Sequence, residues 1–192
     1  MARNVEFDEQ LAVSKAMDVF WRKGYNGTTM RDLTEAMGIN SSSLYNTIGD
    51  KHELFIRSLT HFTESRMRAA LKQLEPIKSP LKAIEKFIQS SAHAITNEPN
   101  SCLAIKTTFE VAATDKQVQH IIKADNDFTY NLLITLVERA IEKGEINVSR
   151  DAAMLTDYII NHFTGWHESF IIHKDKVRIK KMAAFLVQQI SL

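Results

Sequence analysis

The chain has 192 residues, enough to bury a substantial core as one compact fold or as a small domain joined to a larger one, and its net charge is only +1. Three prolines, six glycines and long stretches of Leu, Ala, Lys, Glu and Gln lean towards helix; no motif recurs at a fixed period, so neither a substantial sheet nor a repeat array is expected. The single cysteine, Cys102, excludes an intramolecular disulfide framework, the opening MARNVEFDEQ lacks the apolar core of a secretion signal, and Asn161, His162, His167 and Glu168 interrupt the best apolar run, so a cytosolic chain without a membrane span is expected.

From Phe7 to Lys23, Leu11, Ala12, Ala16, Val19 and Phe20 recur at helical spacing while Asp18, Arg22 and Lys23 fall elsewhere, which predicts an amphipathic helix ended by Gly24. Thr29 is placed to accept from the first amides of a second helix, Met30 to Met37, and Asp32 completes a capping-box-like pair. Met30, Leu33, Ala36 and Met37 keep one face of that helix, and Gly38 supplies the turn after it. A third helix, Ser41 to Ile48, turns Leu44 and Ile48 inward and leaves Ser41, Ser42, Ser43, Asn46 and Thr47 on its other sides. Gly49 closes it, and Asp50-x-x-Glu53 opens a fourth, through Leu54, Phe55, Ile56, Leu59 and Phe62 to about Leu74.

Pro76 to Pro80 breaks the chain. Five more helices follow at about 80–96, 101–113, 116–143, 151–173 and 175–190, separated by Asn97-Glu98-Pro99-Asn100, Thr114-Asp115 and Gly144-Glu145-Ile146-Asn147. The expectation is an all-α fold of nine helices: a three-helix domain over 1–50, and a helical bundle over 51–192.

A helix, a short glycine-containing turn and a second helix form the helix-turn-helix arrangement, whose second helix protrudes as a rod that fits the DNA major groove. Residues 1–57 carry seven Lys or Arg against eight Asp or Glu, so affinity rests on where a few cations sit. The hydroxyls of Thr28 and Thr29, the amides opening the second helix, and Lys51 are placed to clamp phosphates. Asn40, Ser41, Ser42 and Asn46 carry amide and hydroxyl groups suited to base edges, with Ser43 beside them.

Gly24-Tyr25-Asn26-Gly27-Thr28-Thr29-Met30-Arg31-Asp32-Leu33, then Ala36-Met37-Gly38-Ile39-Asn40, then Ser43-Leu44-Tyr45 and Lys51-x-Glu53-Leu54-Phe55 resemble the signature of the tetracycline-repressor (TetR) family of transcription regulators, over about residues 10 to 56. The resemblance implies a DNA-binding regulator of the nine-helix TetR-like fold, with the Tyr45 phenol as a further phosphate contact. Two departures stand out: Ser42 and Ile48 occupy positions where the family commonly has a small glycine and an aromatic. The reading helix also contains no Arg or Lys, which removes the bidentate contact to guanine and leaves Arg3, Lys15, Arg31 or ordered water to compensate.

Further on, Asn100-Ser101-Cys102-Leu103 with Thr107, Thr108 and Glu110 is similar to a segment in one branch of that family, where Gly-Cys-Leu precedes a small-residue helix. The family architecture implies a homodimer through residues 151–190. Ala152, Leu155, Tyr158, Ile159, His162, Phe163, Trp166 and Phe170 on the eighth helix and Ile179, Met182, Ala183, Leu186 and Ile190 on the ninth form faces wide enough for it; burial within one subunit is the alternative. Dimer symmetry predicts a near-palindromic double-stranded DNA operator. A small-molecule effector of unidentified class would lie among Phe62, Phe87, Ser91, His93, Cys102, Phe109, Phe128 and Asn131, each of which core packing would also explain.

Cys102 reads as a redox or metal sensor or as an inert core thiol. His162, His167 and His173 are spaced by five and six, not as a helical i,i+4 metal pair, so neither metal nor cofactor is expected. No phosphate loop, His-Glu-x-x-His or Ser/His/Asp pattern appears, so an enzyme is not expected either. The competing readings are a helical protein-interaction module without DNA binding and, behind it, an enzyme built on a bundle.

Overall fold

The computed structural model describes residues 9–97 and 102–191, apart from the side chains of Ser41, Ser43 and Thr47. These residues form nine helices: α1 (Glu9–Lys23), α2 (Met30–Met37), α3 (Ser41–Thr47), α4 (Lys51–Leu74), α5 (Pro80–Asn97), α6 (Leu103–Glu110), α7 (Lys116–Glu142), α8 (Ala152–His173) and α9 (Lys176–Ile190), with no strand among them. Phe7, where the first helix is expected to begin, and Ser101, where the sixth is, lie outside the described residues. So does Arg3.

Local chemistry sets most of the boundaries. Asp151 and Asp175 accept from the amides of Met154 (3.1 Å) and Arg178 (2.9 Å) to cap α8 and α9. Asp50 and Glu53 cap the start of α4 reciprocally, each carboxylate on the other's amide (2.9 and 3.1 Å). The exception is α6, which stops at Glu110 instead of the expected 113. Val111 and Ala112 both donate to the Thr107 carbonyl (2.9 and 3.1 Å), which tightens and ends the helix, and Asp115 then accepts from Gln117 and Val118 to start α7.

The described residues divide into two compact units, 9–65 with 103–122, and 66–97 with 102 and 123–191. The first is larger than the 1–50 segment expected from sequence, because Leu54 and Phe55 of α4 complete its core with Phe20, Leu33 and Leu44, all essentially inaccessible to solvent. Phe55 meets Phe20 edge-on at 5.0 Å and Tyr25 at 4.7 Å, contacts that stabilise beyond the area they bury.

In the second unit α5, α8 and α9 pack on one another. Their core holds Ile84, Ile88, Leu133, Ile159, Trp166, Ile179 and Leu186, each buried on every side. No helix among the described residues is long and apolar enough to cross a membrane.

Candidate nucleic-acid interface

The first unit positions α3 through α2, both ends of which are fixed. Thr29 caps α2: its hydroxyl oxygen accepts from the Asp32 amide (3.2 Å), and Asp32 accepts from the Thr29 amide (2.9 Å). Lys23 Nζ lies 2.6 Å from the same carboxylate, and these partners hold Asp32 well below the usual carboxylate range, the Lys23 contact first. At the other end of α2, Gly38 adopts φ 72°, the left-handed conformation that lets its amide turn back to the Thr34 carbonyl (2.9 Å). Three residues later the chain re-enters helix as α3.

Leu44 and Ile48 anchor α3 in the core, while Ser42, Tyr45 and Asn46 face solvent, Tyr45 with 54% of its surface accessible. Asn40, just before the helix, is exposed too. An apolar seam below and a phenol, a hydroxyl and two carboxamides outside are what a groove-reading rod requires. The side chains of Ser41 and Ser43 lie outside the described residues.

Lys51, in the first turn of α4, holds its ammonium 4.4 Å above the Tyr25 ring, a cation–π contact that fixes the charge at one point of the surface. Burial first, and then the nearby carboxylates of Asp50 and Asp115, raise the Tyr25 phenol above its ordinary pKa, so the ring beneath Lys51 stays neutral.

One expected phosphate contact is corrected. Thr28 is only 2% accessible, and its hydroxyl donates to the Gly24 carbonyl at 2.6 Å, so it ties the turn between α1 and α2 and presents nothing to DNA. Of the cations expected to compensate for the reading helix, Arg31 is exposed and bonded to Glu35 (2.7 Å), and Lys15 is exposed on α1.

The expected effector residues do not form one group. Phe62 belongs to the first unit, where its ring lies 5.3 Å from Trp21, and Phe109, also there, is 76% accessible. In the second unit His93 and Asn131 are exposed, whereas Phe87, Ser91 and Phe128 are half-buried and Cys102 is buried. Phe87 packs against Phe163 at 5.8 Å.

Sequence reasoning missed a more polar cluster in the same unit. Arg66 places one guanidinium nitrogen 3.9 Å from Cys102 Sγ and the other 3.3 Å from Asp125, which is buried. Burial outweighs Arg66 and raises the Asp125 carboxyl above its ordinary range. Burial, with Arg66 adding to it, lowers His167 to about 4. A signal existed: Val118, Ile122, Asp125, Thr129 and Leu133 follow one another at helical spacing, which places a carboxylate on the buried stripe of α7. Among the described residues, no group of His, Cys, Asp or Glu is arranged to hold a metal ion.

An exposed polar rod on a helix-turn-helix, joined to a helical bundle, is the architecture of a DNA-binding transcriptional regulator. Comparison with known proteins makes the class specific. Residues 12–57 match the family described as bacterial regulatory proteins, tetR family, and residues 80–186 match the tetracyclin repressor-like C-terminal domain. The chain belongs to the tetR family.

Its relatives include the HTH-type transcriptional regulator YezE of Bacillus subtilis (strain 168), 29% identical over 83% of this chain and 84% of that protein. The HTH-type transcriptional repressor ComR of Escherichia coli (strain K12) is 25% identical over 80% of this chain and 74% of its own length. In fold the chain is similar to a regulator from Chloroflexus aurantiacus J-10-FL (22% identity, TM-score 0.87, 94% and 92% of the two chains) and to a cysteine mutant of CifR complexed with operator DNA (23%, 0.84, 97% and 98%).

Proposed function

We propose that this regulator is a cytoplasmic repressor without enzymatic activity, which holds a near-palindromic operator as a homodimer and releases it when a small molecule occupies the sensing bundle. The observation that carries this reading is α3, anchored through Leu44 and Ile48 with Ser42, Tyr45 and Asn46 outward. Tyr45, Lys51 and Thr29 are the phosphate contacts; Asn40, Ser42 and Asn46, with Ser41 and Ser43, are the readers of base edges. Repression in particular is supported by ComR, a repressor by name.

Dimerisation is supported by what α8 and α9 leave uncovered. Leu155, Ile159 and Trp166 are spent inside the unit, but Met154, Tyr158 and Ile172 follow one line of α8 in the open, and Val177 and Phe185 are exposed on α9. A single short reading helix binds too weakly to act alone, and a second copy doubles the contact. For the effector, Phe87, Ser91, Cys102 and Phe128 supply apolar wall and a hydroxyl, and Arg66, Asp125 and His167 the polar groups that fix a ligand's orientation.

The test is selection of genomic fragments by the purified full chain at physiological salt, including DNA flanking its own gene. A shared palindrome among the recovered fragments is expected. No enrichment over bulk DNA, with protein purified free of small molecules, would overturn the reading in favour of an interaction module.

A further inference from the structure

We propose that α6 is a clasp that holds the reading head in its DNA-binding conformation, with Glu110 and Lys106 as positioning residues. The proposal rests on the DNA-binding reading of the first unit. Both residues and everything they touch lie within that unit.

The end of α1 leaves two kinds of unsatisfied group: the last carbonyls of the helix and the amides of the turn after it. One helix answers both. Lys106 Nζ lies 2.8 Å from the Trp21 carbonyl and 3.5 Å from that of Arg22, a cation at the negative end of α1. One helical turn further along α6, Glu110 takes the Asn26 amide on one carboxylate oxygen (2.7 Å) and the Tyr25 amide on the other (3.1 Å).

Two successive amides converging on one point form a concave anion site, and here the chain fills it with its own carboxylate. Gly24 permits the approach, since a Cβ there would stand 2.7 Å from Glu110 Oε2. The turn so held runs directly into Thr28, Thr29 and α2. The segment following α6 adds a second grip: Asp115 meets His52 of α4 at 2.6 Å, one residue from Lys51. The turn, and the residue next to the proposed phosphate-contacting Lys51, are thus both fastened to 103–122, a stretch continuous at either end with residues of the sensing unit.

The clasp makes a prediction opposite to that of simple charge. Removing a carboxylate from a DNA-binding unit ordinarily strengthens binding, because one repulsion of phosphate is lost. If Glu110 positions the turn, removing it weakens binding. The experiment compares the full-length parent, Glu110→Ala, Glu110→Gln and Lys106→Met on a fragment recovered with the parent, titrated by fluorescence anisotropy over a range of salt. Affinity is expressed per folded protein well below the melting temperature, where a merely stabilising contact leaves it unmoved.

Glu110→Ala is expected to bind about tenfold more weakly, Glu110→Gln to lose less because its carbonyl still serves one amide, and amide exchange to quicken at Tyr25 and Asn26. Lys106→Met is expected to weaken binding with the parent's salt slope, since no phosphate contact is lost. Affinities of the Glu110 variants equal to or tighter than the parent's would overturn the clasp, as would a reduced salt slope in Lys106→Met, which would make that lysine a phosphate contact. A parent that binds no fragment overturns the DNA reading and the clasp with it, whereas a parent that binds while its variants match it overturns the clasp alone.

Discussion

Thr28 and Thr29 stand one peptide apart, yet one hydroxyl is buried on the Gly24 carbonyl and the other caps α2 at the surface. Their substitutions should therefore separate stability from DNA contact. Thr28→Val leaves a buried carbonyl without its donor and is expected to cost roughly 1–2 kcal/mol in chemical denaturation, while the salt dependence of operator binding keeps its slope. Lys51→Ala removes a charge fixed above Tyr25, and the slope of log affinity against log salt should flatten by about one counterion; an unchanged slope would remove Lys51 from the phosphate contacts. Of the candidate interface, Ser42 and Asn46 were legible from helical period alone, because Leu44 and Ile48 fix which side of α3 is inward, whereas Tyr45 was legible only through the resemblance to the family signature. Periodicity does not resolve which threonine of an adjacent pair turns into the protein, since both precede the helix. The Glu110 contacts were illegible for a different reason: the amides it serves are 84 and 85 positions away in the chain.

At the scale of elements, boundaries legible in sequence are those set by groups within four residues of the helix end. Thr29, Asp50, Asp151 and Asp175 each find their amide partners three residues on, and the chain offers the same signal folded or not. The end of α6 had no such marker, because it is closed by the Thr107 carbonyl taking two amides at once, and the apolar residues beyond Glu110 continue a helical pattern that the backbone abandons. Likewise the first unit continues past residue 50 into α4, where Leu54 and Phe55 are buried, and no turn or composition shift within α4 announces where it stops. The caps themselves have a measurable worth. Thr29→Ala is expected to lower stability by about 1 kcal/mol, and Thr29→Ser, which keeps the accepting oxygen, to recover most of it; equal losses for both would mean that the methyl group, not the cap, matters.

The molecule as a whole carries a buried imidazole whose protonation the fold resists. His167 has a folded pKa of about 4 against an ordinary value of 6.5, so between those limits the unfolded chain binds a proton that the folded chain refuses. Stability is therefore full above pH 6.5 and declines as pH falls towards 4, by up to roughly 3 kcal/mol from this group. Asp125, raised by burial, acts in the opposite sense, since its penalty at neutral pH is relieved on acidification. His167→Gln should flatten the decline between pH 6.5 and 4 in thermal melts, and a profile superimposable on the parent's would show that the imidazole is hydrated in solution. Assembly is the other property of this scale. Phe185 is 60% accessible and Met154 66%, on helices whose inner faces are already packed, so a charge at Phe185 disturbs no core within one subunit. Phe185→Glu is expected to leave helical content intact and convert the dimer to monomer in light scattering. Operator affinity should then fall on the order of a hundredfold, because two linked reading heads bind each half-site at a high effective concentration and one head alone does not. A Phe185→Glu protein that remained dimeric with full affinity would place the subunit interface on another face, and the open line of Met154, Tyr158 and Ile172 would then need a different partner.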